Sequence, residues 1–460
     1  MQQKPEQKRV HFIAVGGAVM HNLAIVLKNN GFIVTGSDDE IFEPSRSRLA
    51  EHSLLPARAG WSPDIISSNI DFIILGMHAR KDNPELVKAL EMGIKIYSFP
   101  EYIYEVTRNK KRVVISGSHG KTTITAMIMH TLNYHKYSLD YLVGAQVEGL
   151  GNMVGLSDDS GVAILEGDEY PSSPLDRTPK FHYYKPHIAL VSGIAWDHIN
   201  VYPEYEKYVE QFHTFIKKIE DKGILIYFEN DNRLKDIVKN IKGKIKTISY
   251  SAHPFVNEEG IVYLLYSNRK IPLRIFGEHN MQNLNGARLV CNQLGIQDMQ
   301  FYEAITTFKG ASKRLQLIES NDYTDIYIDF AHSPSKLEAT IKAVKNHYPD
   351  RKLAACMELH TYSSLNKNYL GNYKGTMDLA DISIVYFSPE TLKHKRLEML
   401  SKKEVKDAFG LGRLKVFVNP QKLSEELLSM DWRNKNLLMM SSGDFSGIDI
   451  NNLANQIINY

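Results

Sequence analysis

Short apolar blocks alternate with longer amphipathic stretches along this chain, and glycine stands at most of the junctions. The first blocks read as a strand over Val10–Val15, a turn at Gly16-Gly17 and a helix over Val19–Asn29. A second strand over Phe32–Thr35 closes on Gly36-Ser37-Asp38. A further unit follows, with strand Phe72–Leu75, helix Pro84–Met92 and strand Ile94–Tyr97. Strands alternating with helices predict parallel sheets with crossover helices, the α/β class. Pro100 and the charged run Asn109-Lys110-Lys111-Arg112 mark a boundary near residue 108.

The middle of the chain repeats the pattern with strands at Val113–Ser116, Val162–Leu165, His187–Val191, Ile224–Tyr227 and Ile245–Tyr250. Between them lie helices beginning at Ile124, spanning Asn200–Lys218 (with Tyr208, Phe212 and Phe215 turned to the core), and spanning Arg233–Val238. Ile261–Tyr266 and Pro272–Ile275, joined through Ser267-Asn268-Arg269, read as a hairpin, and a helix runs from Gly277 to about Leu294. A second boundary falls near Phe308-Lys309-Gly310. Beyond it the alternation resumes with strands Ile326–Asp329, Leu353–Met357, Ile382–Phe387, Leu414–Phe417 and Leu437–Met440, and helices Pro334–Lys345 and Lys422–Leu428. The expectation is three domains, over residues 1–107, 108–307 and 308–460: Rossmann-like, P-loop ATPase-type with a parallel sheet, and Rossmann-like again.

Chemistry enters where these strands end. Val113–Ser116 runs into Gly117-Ser118-His119-Gly120-Lys121-Thr122-Thr123, and a helix follows. Strand, glycine-rich turn and helix N-terminus together present free amides and a positive dipole end to an anion. Lys121 would add a mobile charge for the outer phosphates, and the Thr122 hydroxyl a magnesium ligand. The usual loop carries glycine where Ile115 stands, so this one is shorter. Glu166 ends its strand directly and is the best carboxylate for a hard cation, while Asp168 and Glu169 read as solvated loop acids. Asp197-His198, after another strand end, suits either a metal or the orientation of a substrate. Asn280 and Asn283 share one helix face, where their amides suit an adenine edge, with a plain helix cap as the other role for Asn280.

Gly16-Gly17 lacks the full dinucleotide fingerprint, yet the helix behind it could hold a diphosphate. Asp38 is placed either to take a ribose hydroxyl or to cap its own turn. In the last third, Asp329, His332, His360 and Asp444 collect at strand ends, where an open α/β sheet meets its ligand.

Composition narrows the picture further. Among 460 residues, 55 basic side chains face 53 acidic ones, so no charge field points to nucleic acid or a membrane surface. Cys291 and Cys356 are the two cysteines, both in apolar segments, which excludes a disulfide framework and fits a reducing cytoplasm. The polar N-terminus is no signal peptide, and no apolar run approaches the roughly 20 residues that span a bilayer.

The glycine loop, Glu166, Asp197-His198, Gly277-Glu278-His279-Asn280 with Asn283, Lys313-Arg314, and Asp329-Phe330-Ala331-His332-Ser333-Pro334 occur in an order that resembles the Mur ligase family. The early Gly-Gly and Gly-Ser-Asp pattern is similar to the branch acting directly on UDP-N-acetylmuramate. Glu166–Tyr170, Leu175–Tyr183 and Ser442–Ile448 resemble the members that add a peptide, L-Ala-γ-D-Glu-meso-diaminopimelate. Pro171 departs from those members, and His360-Thr361-Tyr362 is nearer the alanine-adding His-Arg-Tyr, so L-alanine is the alternative amine.

The resemblance implies an ATP- and Mg2+-dependent ligase that works through an acyl-phosphate. Lys121, Glu166, His198, Arg314 and Asp329 would be catalytic, with Thr122, Glu166 and His198 at the metal. Gly117–Thr123, Asn280, Asn283, Arg314 and Asp329 would hold ATP, the last two only after the third domain closes. Gly16, Gly17, Ser37 and Asp38 would take the UDP group, and His332 and His360 the amine. His213 stands where some relatives carry a carbamoylated lysine, so no carbamate is expected. A cytoplasmic monomer or weak homodimer is implied; a nucleotide switch that ligates nothing is the more remote reading.

Overall fold

The computed structural model describes residues 7–145, 150–196, 199, 201–241, 243 and 245–459. Among these, three sheets with crossover helices succeed one another along the chain. The first has strands β1 (Arg9–Ile13), β2 (Ile33–Ser37), β3 (Phe72–Leu75) and β4 (Lys95–Ser98) in the order β2-β1-β3-β4, every pair parallel. Helices α1 (Ala18–Asn29), α2 (Ser45–Glu51), α3 (Pro84–Glu91) and α4 (Phe99–Thr107) go with it. Pro100 lies inside α4, in its first turn, where a missing N–H costs nothing, and Ser98 and Glu101 close a reciprocal cap.

The charged run that follows is held internally. Arg112 is 2 % exposed, and its guanidinium donates to the carbonyls of Thr107 (3.1 Å) and Arg108 (2.6 Å) at the end of α4. It also reaches the Tyr184 carbonyl at 2.8 Å and Glu220 at 3.0 Å. One buried arginine thus satisfies the orphan carbonyls of a helix C-terminus and ties the first sheet's last helix to the second sheet.

The second sheet contains β5 (Lys111–Ser116), β6 (Asp140–Leu142), β7 (Val154–Gly155), β8 (Val162–Glu166), β9 (Ile188–Val191), β10 (Ile224–Phe228) and β11 (Lys246–Tyr250), in the order β11-β10-β9-β5-β8-β6-β7. All pairs are parallel except β6–β7. Helices α5 (Lys121–Tyr134), α6 (Tyr205–Lys217) and α7 (Asn232–Lys239) accompany it. A small antiparallel sheet of β12 (Phe255–Glu258), β13 (Ile261–Tyr266) and β14 (Arg269–Leu273) follows, then α8 (Glu278–Gln293) and α9 (Asp298–Ile305). Ser267 and Asn268 make the hairpin turn with φ of 46° and 63°, the left-handed pair a two-residue loop requires.

The third sheet runs β15-β16-β20-β17-β18-β19, built from β15 (Gln316–Ser320), β16 (Asp325–Asp329), β17 (Lys352–Leu359), β18 (Ile382–Phe387), β19 (Lys415–Phe417) and β20 (Lys435–Met440). Only its edge pair β15–β16 is antiparallel. Its helices are α10 (Pro334–His347), α11 (Lys367–Leu370), α12 (Pro389–His394), α13 (Lys402–Phe409), α14 (Pro420–Leu428) and α15 (Ile450–Ile458).

One apolar core joins Val114, Phe181, Tyr208, Phe212 and Phe215 of the middle of the chain to Phe12, Leu23 and Ile74 of the first sheet's layer. Another joins Ile115, Ile128 and Leu284 to Tyr327, Leu337 and Ile341 of the last third. The central sheet is therefore covered on both faces, which is why its strands read as unbroken apolar runs. Among the described residues no helix is long and apolar enough to cross a membrane.

Candidate active site

The carboxyl ends of β5, β8 and β9 open into a cavity of about 610 Å³ that residues from all three thirds of the chain line. The glycine loop bends there because Gly117 (φ 122°) and Gly120 (φ 74°) adopt backbone conformations that side-chain-bearing residues rarely take. A Cβ on Gly120 would stand 2.1 Å from Oδ1 of Asn283, so the missing side chain is what lets α8 approach the loop. Ser118 fixes the loop from below: its amide donates to the Gly193 carbonyl at 3.0 Å and its hydroxyl to Ala195 at 2.6 Å. The first turn of α5 (Lys121, Thr122, Thr123) lines the cavity.

Lys121 is not the mobile charge expected of it. Its ammonium donates to the Gly117 carbonyl at 2.7 Å and to both oxygens of Glu169, at 3.0 and 2.8 Å. Burial opposes its charge, but Glu169, with Asp168 behind it, more than compensates and raises its pKa. Glu169 itself is 0 % exposed, which corrects the expectation of a solvated loop acid. The loop after β8 folds back under α6, where Tyr208 donates its hydroxyl to Glu169 Oε1 at 2.8 Å and Tyr202 donates to the Glu169 carbonyl at 2.6 Å. Asp168 is closer to expectation: its carboxylate is partly exposed and pairs with Lys180 at 2.6 Å.

Glu166 accepts from the Thr122 hydroxyl at 2.9 Å and from the Gly144 amide at 2.7 Å. Burial raises its pKa, and the Gly144 amide and Lys121 pull it back. Among the described residues no three His, Cys, Asp or Glu side chains gather as a metal cluster. Thr122 and Glu166 supply two hard oxygen donors at the phosphate loop, a set that fits a magnesium ion completing its shell with phosphate and water. Asp197 and His198, the other pair expected at a metal, lie outside the described residues.

The last third reaches into the same cavity. Nη2 of Arg314 lies 3.5 Å from Thr122 Oγ1, and Nε2 of His119 in the glycine loop lies 2.9 Å from the Ser335 hydroxyl in the first turn of α10. The last third thus contacts the glycine loop directly. Arg314 is stacked 4.3 Å over the Phe330 ring and flanked by Lys313 (φ 52°) and Leu315 (φ 48°), both left-handed. Asp329 holds that strained segment by accepting from the Leu315 amide at 2.6 Å, and its other oxygen takes the Ala331 amide at 2.7 Å. Burial raises the Asp329 pKa, offset by Arg314 and His279.

Asn280 and Asn283 both line the cavity, each 6 % exposed. Asn280 is not the cap of α8, a position Gly277 holds; its amide donates to the Phe276 carbonyl at 2.9 Å. A smaller cavity of about 290 Å³ adjoins the first, since Phe330 and His332 line both, and His360 lines the second.

Gly16, Gly17, Ser37 and Asp38 meet at the ends of β1 and β2, apart from the main cavity, which that unit reaches through Val19 and Phe99. Ser37 is buried, and its carbonyl accepts the amides of Ala14 and Val15. Asp38 Oδ2 accepts from the Gly16 amide at 2.7 Å and Oδ1 from the Asp39 amide at 3.0 Å, so its carboxylate buttresses the glycine turn.

Burial pushes the Asp38 pKa up to about 6, against the pull of the Gly16 amide. Because the folded value exceeds the unfolded one, this group stabilises the fold fully below about pH 4, and the contribution is lost as pH rises through 6. Asp38→Asn keeps one of the two acceptor oxygens and loses the other, a loss that does not vary with pH, and removes the titration. The variant should gain about 2 kcal/mol relative to the parent between pH 4 and 7, read as a difference in Tm that grows across that interval. A pH-independent difference would contradict it.

Comparison with known proteins bears on this arrangement. Residues 9–111 match the model described as Mur ligase family, catalytic domain; 115–291 the Mur ligase middle domain; and 313–443 the Mur ligase, glutamate ligase domain. The UDP-N-acetylmuramate–L-alanine ligase of Caldicellulosiruptor bescii is 30 % identical over 387 residues, 81 % of this chain and 82 % of that protein. The chain belongs to the Mur ligase family.

It is thereby an ATP-dependent carboxylate–amine ligase, with the three-domain α/β architecture of that family. A second Mur ligase, the UDP-N-acetylmuramate–L-alanyl-γ-D-glutamyl-meso-2,6-diaminoheptandioate ligase of Haemophilus influenzae, is 24 % identical over 96 % of this chain and 97 % of its own. Two solved structures share the fold at 20 % identity. The UDP-N-acetylmuramate-alanine ligase of Thermotoga maritima has a TM-score of 0.72 with 98 % of each chain covered. The murein peptide ligase of Psychrobacter arcticus has 0.68, covering 98 % of this chain and 99 % of its own.

Lys395, which lines the second cavity, carries no site signal in the sequence, and Glu169 carries a weak one, as a possible ligand of the hard cation. Glu169 follows Glu166 by one short turn in an acidic loop, and Lys395 sits in a Lys-His-Lys-Arg run that reads as solvated.

Proposed function

We propose that this Mur ligase joins the lactoyl carboxylate of UDP-N-acetylmuramate to the amine of L-Ala-γ-D-Glu-meso-diaminopimelate, a step of peptidoglycan recycling in the cytoplasm. The observation that carries the reading is the shared cavity: glycine loop, Glu166, Arg314 and Asp329 line one space, and a second opens from it at Phe330 and His332. A carboxylate is a poor electrophile and is first activated by attacking the γ-phosphate of ATP. Positioning and charge neutralisation set that barrier.

Residues 108–307 hold the nucleotide, with the amides of Gly117–Thr123 around its phosphates, Lys121 on the outer ones, and Asn280 and Asn283 toward adenine. Thr122 and Glu166 would hold Mg2+, which when bound neutralises phosphate charge. Arg314, seated by Asp329, adds positive charge from the third domain. Residues 1–107 take the UDP group near Gly16, Gly17 and Asp38. The amine enters beside His332 and His360, attacks the acyl-phosphate and displaces phosphate, while the closed third domain keeps water from the intermediate. The chain works as a monomer or weak homodimer.

A second reading, L-alanine as the amine, has the 30 % identity to the Caldicellulosiruptor bescii ligase in its favour. The size of the second cavity, about 290 Å³, supports the peptide over so small an amine as alanine. Purified protein with ATP, Mg2+, UDP-N-acetylmuramate and either amine, followed by mass measurement of the products, separates the two. Product with the peptide alone is expected. Product with alanine alone would replace the first reading by the second, and ATP hydrolysis indifferent to the muramoyl nucleotide would overturn both.

A further inference from the structure

Asn22 lies in α1, almost fully buried, and every hydrogen-bonding position of its side-chain amide is filled. Its Nδ2 donates to the Ala18 carbonyl at 2.7 Å and to Nε2 of His21 at 2.9 Å. Its Oδ1 accepts from the Met153 amide and from Nη2 of Arg48 in α2, each at 3.0 Å. Two donor hydrogens and two acceptor lone pairs are all that an asparagine side chain has. His21 is buried beside it, and Nδ1 of its ring donates to the Gly17 carbonyl at 2.9 Å, which leaves Nε2 to accept from Asn22. A buried polar network satisfied at every member specifies one arrangement of the groups it joins.

This network crosses from the first domain to the second. Gly17 is the N-cap of α1, at the turn proposed to take the UDP group, whereas Met153 directly precedes β7 of the central sheet. Nη2 of Arg48 makes the same crossing, reaching the Gly151 carbonyl at 2.7 Å and Oδ1 of Asn152. From Met153 the bonds continue inward. Its carbonyl accepts the Val143 amide at 2.9 Å, and the next residue, Gly144, donates its own amide to Glu166 at 2.7 Å. Val143, Gly144 and Glu166 line the reaction cavity, which Asn22 and Arg48 do not. One continuous path of hydrogen bonds and peptide links thus joins the glycine turn of the first domain to a carboxylate beside the phosphate loop.

We propose that Asn22 and Arg48 are positioning residues, which hold the Gly16-Gly17 turn and the edge strands β6 and β7 in one register, so that the muramoyl carboxylate meets the γ-phosphate of ATP in line. The proposal rests on the acid substrate binding at that turn, as argued above. It assigns the alignment of the two domains to side chains outside the cavity wall. Misplacing the reactants by about 1 Å costs about a hundredfold in rate.

The test uses the full chain with Arg48→Met, Asn22→Leu and Asn22→Asp, assayed with ATP, Mg2+, UDP-N-acetylmuramate and whichever amine the parent ligates. Arg48→Met removes the bonds to Gly151 and Asn152, and Asn22→Leu the bond to Met153. Asn22→Asp keeps an acceptor oxygen for Met153 and Arg48. The first two variants should lower kcat about ten- to a hundredfold, with KM for ATP and for UDP-N-acetylmuramate within about twofold of the parent. Asn22→Asp should stay close to the parental kcat. Melting temperatures are measured alongside, and Arg48→Met, at a partly exposed position, decides alone if Asn22→Leu does not fold. A parental kcat with a lowered melting temperature would make the network structural only and overturn the proposal. A KM for UDP-N-acetylmuramate that rises at constant kcat would overturn it too, by making these residues part of the binding site. Asn22→Asp as slow as Asn22→Leu would show that the crossing bond is not what matters. All three results leave the proposed function standing; a parent that ligates neither amine overturns the function, and this assignment with it.

Discussion

Lys121→Met is expected to lower the ligation rate at least a thousandfold and, separately, to destabilise the fold by about 3 kcal/mol. The two effects have different origins. Loss of rate follows from removing the cation that meets the outer phosphates as charge develops on them. Loss of stability follows from Glu169, which is fully buried and would lose its cation, keeping the Tyr208 hydroxyl as its side-chain partner among the described residues. Adding Glu169→Gln should therefore restore most of the stability and none of the rate, since glutamine still accepts from Tyr208. Thermal denaturation and single-turnover ligation on the single and double variants separate the terms. A double variant as unstable as Lys121→Met would show that the ion pair is not what Lys121 contributes to folding.

Arg314→Ala should reduce kcat about a hundred- to a thousandfold with little change in KM for ATP. The guanidinium comes from the last third of the chain, stacks on Phe330 and stops 3.5 Å from Thr122 Oγ1, within reach of the phosphate loop. Lysine at this position would keep a charge but lose the planar fork and the stacking, and should recover only a fraction of the rate. Steady-state kinetics with ATP varied decides the matter. A large rise in KM for ATP at constant kcat would make Arg314 a ground-state binder instead.

The alternation of apolar runs and glycine turns made the order of the strands legible because both faces of the central sheet are covered, leaving no polar face to confuse the period. The phosphate loop was legible for a similar reason: its chemistry lies within seven consecutive residues. What sequence hid was what folding brings together from a distance. Glu169 and Lys121 are neighbours only because Tyr202 and Tyr208 draw the loop after β8 inward. Arg112 sits in a charged run that reads as a surface boundary, yet it is buried under the carbonyls of α4 and Tyr184. Lys395 looks solvated among its basic neighbours, yet it lines the second cavity. Helix α4 does not show in the sequence because Pro100 reads as a breaker, whereas the first turn is where proline belongs.

Oxygen bookkeeping tests the central claim most directly. UDP-N-acetylmuramate labelled with 18O in its lactoyl carboxylate is turned over with ATP, Mg2+ and the amine, and the phosphate released is weighed. Activation by phosphoryl transfer moves one carboxylate oxygen into phosphate, so each phosphate should carry one labelled atom and every phosphate should be matched by one amide. Unlabelled phosphate, or phosphate released without amide, would contradict the mechanism.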